Sequence, residues 1–230
     1  MSQQDMEKKL VGEAAASYVE DGMTVGLGSG STATEFVKAL AKRVTSESLK
    51  IKTVSTSGRT TKLATSLGID VSDLNDVSSI DLTVDGCDEF DPTFNGIKGG
   101  GGALLFEKIV AAQSTKNIWV ADASKRKQQL GAFPLPVEVS PFGFVHVQER
   151  LKHQGLKPQL RCLDNGEWFE TDSHNYILDC HVGTTQEPER LSVWLNNLAG
   201  VVENGLFINM VDEVIIPDNG EVTVLKKAVI

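Results

Sequence analysis

Cysteine is scarce in this chain: Cys87, Cys162 and Cys180 are the only three in 230 residues, and no C-x-x-C pair occurs. An odd count at such spacing supports neither a disulfide framework nor a thiolate zinc site, and suits a reducing, cytoplasmic setting. Long apolar runs are also lacking; all fall far short of the roughly 20 residues a membrane-spanning helix requires. Residues 1–9 are polar and lead into no apolar stretch, so no secretory signal is expected. Positive charge is in short supply, with 22 Lys and Arg against 31 Asp and Glu and a formal net charge of −9. Nucleic acid, whose capture rests on basic surface, is therefore a poor partner. The same excess repels a phosphorylated metabolite at long range. Any anionic ligand must be gripped locally, by a lysine or two and by backbone N–H groups.

What is present is an ordinary globular composition, 40 % hydrophobic and 23 % charged. The first 130 residues alternate between β-rich runs and helical patterns. Strands are expected at residues 23–27, 51–56, 80–84 and 117–121, with helices at 32–44, 59–67 and 103–113 between them. Strands spaced by helices imply a parallel sheet covered on both faces. After Gly131 the texture changes, and Pro134, Pro136 and Pro141 mark a domain crossing. A strand at 135–139, helix at 145–154, strands at 157–161 and 175–181, helix at 187–198 and strand at 201–207 follow. That β-α-β-β-α-β order is ferredoxin-like. Runs at 213–216 and 221–225 flank Asp218-Asn219-Gly220, a hairpin turn expected to return to the first domain. The fold class is thus α/β: an open, mainly parallel sheet with helices on both faces, plus an inserted smaller ferredoxin-like α+β domain. The expected boundaries are 1–131 with 208–230 for the first domain and 132–207 for the second.

Four segments carry residues suited to chemistry. Gly26-Leu27-Gly28-Ser29-Gly30-Ser31-Thr32 joins a strand to a helix, where tight backbone and free N–H groups suit an anion. Taken alone it is equally a plain turn with Ser31 or Thr32 as the cap. No Lys follows the glycines, so it is not a Walker loop, and Ser31 takes the place of the third glycine of G-x-G-x-x-G. The second strand ends in Ser55-Thr56-Ser57, where a dinucleotide fold would put an acid. Asp85-Gly86-Cys87-Asp88-Glu89 follows the third strand; its three carboxylates need a compensating partner, whether a Mg²⁺ ion, a lysine or a polar substrate.

Lys98-Gly99-Gly100-Gly101-Gly102 supplies that lysine, and four glycines in a row read as bare backbone against a ligand. Glu107 falls early in the next helix, where an acid also simply complements the helix dipole. Asp122-Ala123-Ser124-Lys125 follows the fourth strand. Four successive strand ends thus carry hydroxyls with N–H groups, carboxylates, a lysine–glycine loop with a helix-borne glutamate, and a second lysine. Such a set suits holding a phosphate at one end and acid–base work on a polyol at the other.

Together these motifs, with Phe133-Pro134-Leu135-Pro136-Val137-Glu138-Val139, resemble those of type A ribose-5-phosphate isomerases over essentially the whole chain. Cys87 and Gly102 stand where that family often has alanine. The resemblance implies Glu107 as the catalytic base. It implies Ser29, Gly30, Ser31, Thr32, Asp85, Gly86, Cys87, Asp88, Lys98, Gly99, Gly100, Gly101 and Lys125 as substrate-site residues. It implies no metal or organic cofactor, a sugar phosphate substrate, a homodimer or homotetramer, and a place in the non-oxidative pentose phosphate pathway. Aldose–ketose isomerisation moves a proton from C2 to C1 through an enediolate, and one carboxylate near both carbons can do both transfers. Lys98 and glycine N–H groups suit the developing oxyanion. Asp85 or Asp88 suits ring opening and proton exchange between O1 and O2. Two rival readings share this architecture. A phosphosugar-sensing repressor would need a helix-turn-helix before the first strand, where no room is expected. A CoA transferase would use its glutamate as a nucleophile and usually needs a longer chain.

Overall fold

The computed structural model describes residues 2–227; residue 1 and residues 228–230, at the ends of the expected first domain, lie outside the described residues. In chain order come α1 (Gln3–Ala16), β1 (Thr24–Leu27), α2 (Ser31–Glu47), β2 (Lys52–Ser55), α3 (Gly58–Ser66), β3 (Ile80–Gly86), β4 (Glu89–Phe90) and β5 (Gly96–Ile97). Next are α4 (Leu104–Ala112), β6 (Ser114–Val120), β7 (Leu135–Val139), α5 (Phe144–His153), β8 (Pro158–Leu160) and β9 (Tyr176–Cys180). The chain then forms α6 (Pro188–Asn196), β10 (Val201–Asn204), β11 (Leu206–Phe207), β12 (Glu213–Asp218) and β13 (Glu221–Lys226). It divides into two compact units: Met1–Cys87 with Phe106–Lys125 and Met210–Ile230, and Asp88–Leu105 with Arg126–Asn209.

The first unit is built on one six-stranded sheet, ordered β13-β12-β6-β3-β1-β2. Every neighbouring pair from β2 to β12 is parallel, and only β13 runs antiparallel, as the hairpin partner of β12. Asn219 and Gly220 both take positive φ, as a two-residue hairpin loop on right-twisted strands requires. Alternate side chains sort the two faces. Val25, Leu27, Leu82, Val84, Ile118, Val120 and Ile215 join Val11, Phe36, Leu40 and Ala64 of α1, α2 and α3 in one core. Each of the larger ones contributes roughly 1.5–3 kcal/mol by leaving water. On the other face a Cβ at Gly26 would meet Thr83 and Val110, which brings α4 against the sheet there. Helices therefore cover both faces, as the alternating pattern predicts. Several boundaries shift: β6 begins at Ser114 rather than residue 117 and α2 runs on to Glu47. β3 runs on through Asp85 and Gly86, which pair with Trp119 and Val120 of β6; the polar Asp85 hides this extension from a hydrophobic pattern.

The second unit carries a four-stranded antiparallel sheet ordered β10-β7-β9-β8, the strand order of a ferredoxin-like βαββαβ unit. Val137, Val139 and Leu178 pack with Val147 and Leu151 of α5 and Leu195 of α6. A second, three-stranded sheet of β11-β5-β4 completes the unit. Residues 88–105 pack within this unit through β4 and β5, and the expected boundaries at 132 and 207 lie inside it. The strand expected over 201–207 is two strands in two sheets. They part at Gly205, whose N–H donates to the Pro136 carbonyl at 2.8 Å while its own carbonyl accepts from the Lys98 N–H at 2.9 Å. A Cβ at Gly205 would lie 2.4 Å from the Lys98 carbonyl oxygen. Only glycine lets the backbone pass that close.

Candidate active site

In the first unit the carboxyl ends of β1, β3 and β6 share one edge of the sheet, because the three strands are parallel. Past β1, the Gly28 N–H donates to the Val84 carbonyl at 2.9 Å and the Ser29 N–H donates to Asp85 Oδ1 at 2.8 Å. The same Asp85 oxygen accepts from the Gly86 N–H at 2.7 Å. Asp85 is 4 % exposed, and these N–H donors offset the cost of burying its charge. The Ser29 hydroxyl lies 2.7 Å from Thr56 Oγ1 and 2.8 Å from Ser57 Oγ, and Thr60 Oγ1 donates to the Gly28 carbonyl at 3.0 Å. This hydroxyl cluster braces the turn against the start of α3. The sequence reading did not single out Thr56, Ser57 and Thr60 as braces of this turn; the run Ser55-Thr56-Ser57 at a strand's carboxyl end is the available signal.

Gly30, not Ser31 or Thr32, is the N-cap of α2, with φ 93° and no side-chain cap, and the first turn holds no acid. Ser31 and Thr32 are its first two residues, so their N–H groups begin the helix with no capping side chain. A groove of about 630 Å³ opens here, with Lys8, Lys9, Lys38 and Arg59 on its walls beside Asp5, Glu35 and Gly30. The acidic chain thus gathers cations locally at this turn. The sequence pattern did not single them out, since lysines on helices usually serve solvent.

α4 crosses from β3 to β6, two parallel strands, so its start lies toward the carboxyl edge. Glu107 stands in its first turn, one turn before Val110, the residue that meets the sheet beside Gly26. Gly28 and Asp85 share the sheet face of Gly26, two residues nearer that edge. Glu107 is 5 % exposed. A glutamate present only for the helix dipole would sit in water, as most glutamates do. Lys125 ends a short 3₁₀ turn after β6, on the same edge of the sheet.

In the second unit Lys98 follows β5 and is 3 % exposed, its ammonium 5.4 Å from the Phe207 ring centroid. Its four glycines have different reasons. Gly99 has φ 103° and would press a Cβ on Leu104 and Pro136; one at Gly100 would crowd Asp88 and Phe133; one at Gly102, with φ 85°, would lie 2.3 Å from Phe169. Gly101 alone would meet nothing within 4 Å. Packing therefore accounts for three glycines, and bare backbone facing a ligand is needed only for Gly101. Asp88 Oδ2 accepts from the Gly100 N–H at 2.8 Å.

The carboxylates of residues 85–89 each have their own backbone partners. Glu89, 2 % exposed, accepts from the Gly131 N–H at 2.8 Å and the Phe133 N–H at 2.6 Å, and so clamps the chain before β7. Cys87 is partly exposed, Cys162 exposed and Cys180 buried, all as free thiols. Burial foremost, with Asp179 adding, pushes the Cys180 thiol up to about 12, so it carries no nucleophile at neutral pH.

An α/β unit with an uncapped, cation-walled helix start and buried acid groups at one strand edge, joined in sequence to a lysine–glycine loop, defines an enzyme class built to handle a small anion. The sequence profile of the ribose 5-phosphate isomerase A (phosphoriboisomerase A) family matches residues 52–221. Ribose-5-phosphate isomerase A of Levilactobacillus brevis is 52 % identical over 213 residues, 93 % of each chain. The solved ribose 5-phosphate isomerase A of Methanocaldococcus jannaschii matches with a TM-score of 0.93 at 36 % identity, over 98 % of this chain and 100 % of that one. A D-ribose-5-phosphate isomerase in complex with phospho-erythronic acid matches at 0.94 and 34 %, with the same coverage. The chain belongs to the ribose 5-phosphate isomerase A family.

Proposed function

We propose that this chain interconverts D-ribose 5-phosphate and D-ribulose 5-phosphate, with Glu107 moving the proton between C2 and C1. Family membership carries the reaction, and the burial of Glu107 in the first turn of α4 carries the assignment of the base. Phospho-erythronic acid, bound by a solved relative, joins a phosphate to a carboxylate whose oxygens resemble those of an enediolate. The Glu107 carboxylate takes the C2 proton of the open-chain aldose and returns it to C1. Lys98 and the Gly101 N–H of its glycine loop stabilise the oxyanion that develops between these steps. Asp85 and Asp88 serve ring opening and proton exchange between O1 and O2. The first-turn N–H groups of α2 at Ser31 and Thr32, the turn at Ser29 and Gly30, and Lys125 hold the phosphate, supported by the basic groove walls. Gly86 and Cys87 lie between the two aspartates and shape the sugar's seat.

This reading uses no metal or organic cofactor and places the reaction in the non-oxidative pentose phosphate pathway. It makes the enzyme cytoplasmic, without nucleic-acid partners, and a homodimer or homotetramer. The net charge of −9 and the three free thiols support the first two points. Exposed Phe142, Trp168 and Val193 support self-association. No helix among the described residues is long and apolar enough to cross a membrane.

The decisive experiment is Glu107→Gln, which keeps shape and hydrogen-bonding reach but cannot accept the proton. kcat should fall by ~10²–10⁴-fold, and exchange of the C2 proton with solvent deuterium should fall with it, while ribose 5-phosphate still binds. A folded variant with near-normal turnover would move the base to Asp85 or Asp88.

A further inference from the structure

Arg161 follows β8 in the second unit and takes no part in the roles assigned above. Its side chain is 12 % exposed. Nε donates to Asp179 Oδ2 at 2.8 Å and Nη2 to Asp179 Oδ1 at 2.5 Å, a bidentate pair on β9. Nη1 turns the other way, donating to the Gly99 carbonyl at 2.8 Å and, at 3.3 Å, to that of Gly100. The Phe169 ring centroid lies 5.6 Å from the guanidinium carbon, and the same ring fills the space left by the missing side chain of Gly102. Asp179, Phe169 and Arg161 thus form one buttress behind the glycine loop.

The direction of these bonds matters. In a trans peptide the C=O and the following N–H point opposite ways. Drawing the Gly99 carbonyl toward Arg161 sends the Gly100 N–H away from it, to the side where Asp88 accepts it. Drawing the Gly100 carbonyl toward Arg161 likewise turns the Gly101 N–H away, at the one loop glycine whose bareness protein packing does not require. We propose that Arg161 is a positioning residue of the isomerisation: anchored by Asp179, it holds the Gly99 and Gly100 carbonyls to one side, leaves the Gly100 N–H on Asp88 and aims the Gly101 N–H at the oxygen that becomes negative in the enediolate. The inference rests on the reading of Lys98–Gly101 as the oxyanion-holding loop. Lysine cannot substitute, because one ammonium lacks the fork that pairs a carboxylate and reaches two carbonyls at once.

The test compares Arg161→Ala, Arg161→Lys and Asp179→Asn with the parent for kcat, KM for ribose 5-phosphate, circular dichroism and melting temperature. A donor that works only in the transition state affects kcat rather than KM. Loss of one oxyanion donor costs about 10²–10³-fold, so a misaimed loop should cost about 10–10²-fold in kcat, with KM changed less than about threefold. Arg161→Lys should stay impaired despite a parent-like melting temperature, and added guanidinium ion should restore part of the turnover of Arg161→Ala. If Arg161→Ala does not fold, Arg161→Lys and Asp179→Asn decide the matter. Folded variants with parent kcat, or activity lost only in proportion to the folded fraction, would overturn the proposal. Lys98→Ala separates the two readings: if it too keeps parent activity, the assignment of the loop is at fault. If Lys98→Ala is inactive while the Arg161 variants are not, only the role of Arg161 fails.

Discussion

A Cβ added at Gly28 would lie 2.3 Å from Asp85 Oδ1 and 2.4 Å from Asp85 Cα, and the second of these is backbone that cannot rotate aside. Gly28 thereby fixes where Asp85 sits, and Asp85 in turn accepts the Ser29 N–H that shapes the anion-binding turn. Gly28→Ala should therefore destabilise the protein by ~1–3 kcal/mol, as overpacked sites do. Displacing the site by about 1 Å should lower kcat/KM by roughly 10²-fold. Urea denaturation and steady-state kinetics check both; an alanine variant with the parent's midpoint and rate would show that the sheet yields at no cost. At this scale the sequence disclosed residue types more readily than partners. Glu89 and Asp88 are neighbours of similar chemistry, yet one accepts from Gly131 and Phe133 and the other from Gly100. Which carboxylate faces which loop depends on strand pairings dozens of residues away. Arg161 was illegible for the same reason: its partners lie 18 and about 60 positions off in sequence.

Among elements, long amphipathic helices and apolar strands were legible because their periodicity is the packing itself. β4 and β5 were not, since two-residue strands show no period, and β11 was read as the end of one strand over 201–207. β7 was placed correctly, but its apolar–polar alternation hides a fact: all five residues are buried, Glu138 among them at 1 % exposure. Its Oε1 accepts from Thr171 Oγ1 at 2.9 Å and Asn175 Nδ2 at 3.0 Å, while Oε2 has no partner among the described residues. Burial, the largest influence, raises the Glu138 pKa above the ordinary 4.5; the two hydrogen bonds oppose this, and Glu203 and Asp172 add to it. A carboxyl that holds its proton more tightly when folded stabilises the fold below its unfolded pKa. That contribution is lost as pH rises through the folded value. Glu138→Gln, which does not titrate, should therefore gain stability relative to the parent as pH rises from about the ordinary 4.5 through the raised folded value. Denaturant titrations of both proteins at several pH values measure the difference. A gap that stays constant, or moves the other way, would show that Glu138 ionises freely in the fold.

For the whole molecule the question is whether a chain of net charge −9 needs a metal ion to handle a doubly anionic sugar. The acid-rich segment near residue 85 invites a Mg²⁺ site, yet each of its carboxylates already has backbone N–H donors. Asp85 takes those of Ser29 and Gly86, Asp88 that of Gly100, Glu89 those of Gly131 and Phe133, and Asp91 those of Thr93 and Asn95. N–H donors aimed at a carboxylate stabilise its charge as a cation would. Positive charge is instead concentrated where the proposed reaction needs it, at buried Lys98 and along the basic groove beside the start of α2. Isomerase activity should accordingly survive prolonged incubation with excess EDTA, with kcat and KM unchanged within about twofold, and added Mg²⁺ should give no increase. The measurement is direct, following ribulose 5-phosphate formation before and after chelation. Activity lost in EDTA and restored by a divalent ion would mean that these carboxylates reorganise around a metal, and Lys98 would lose its place as the cation that stabilises the enediolate.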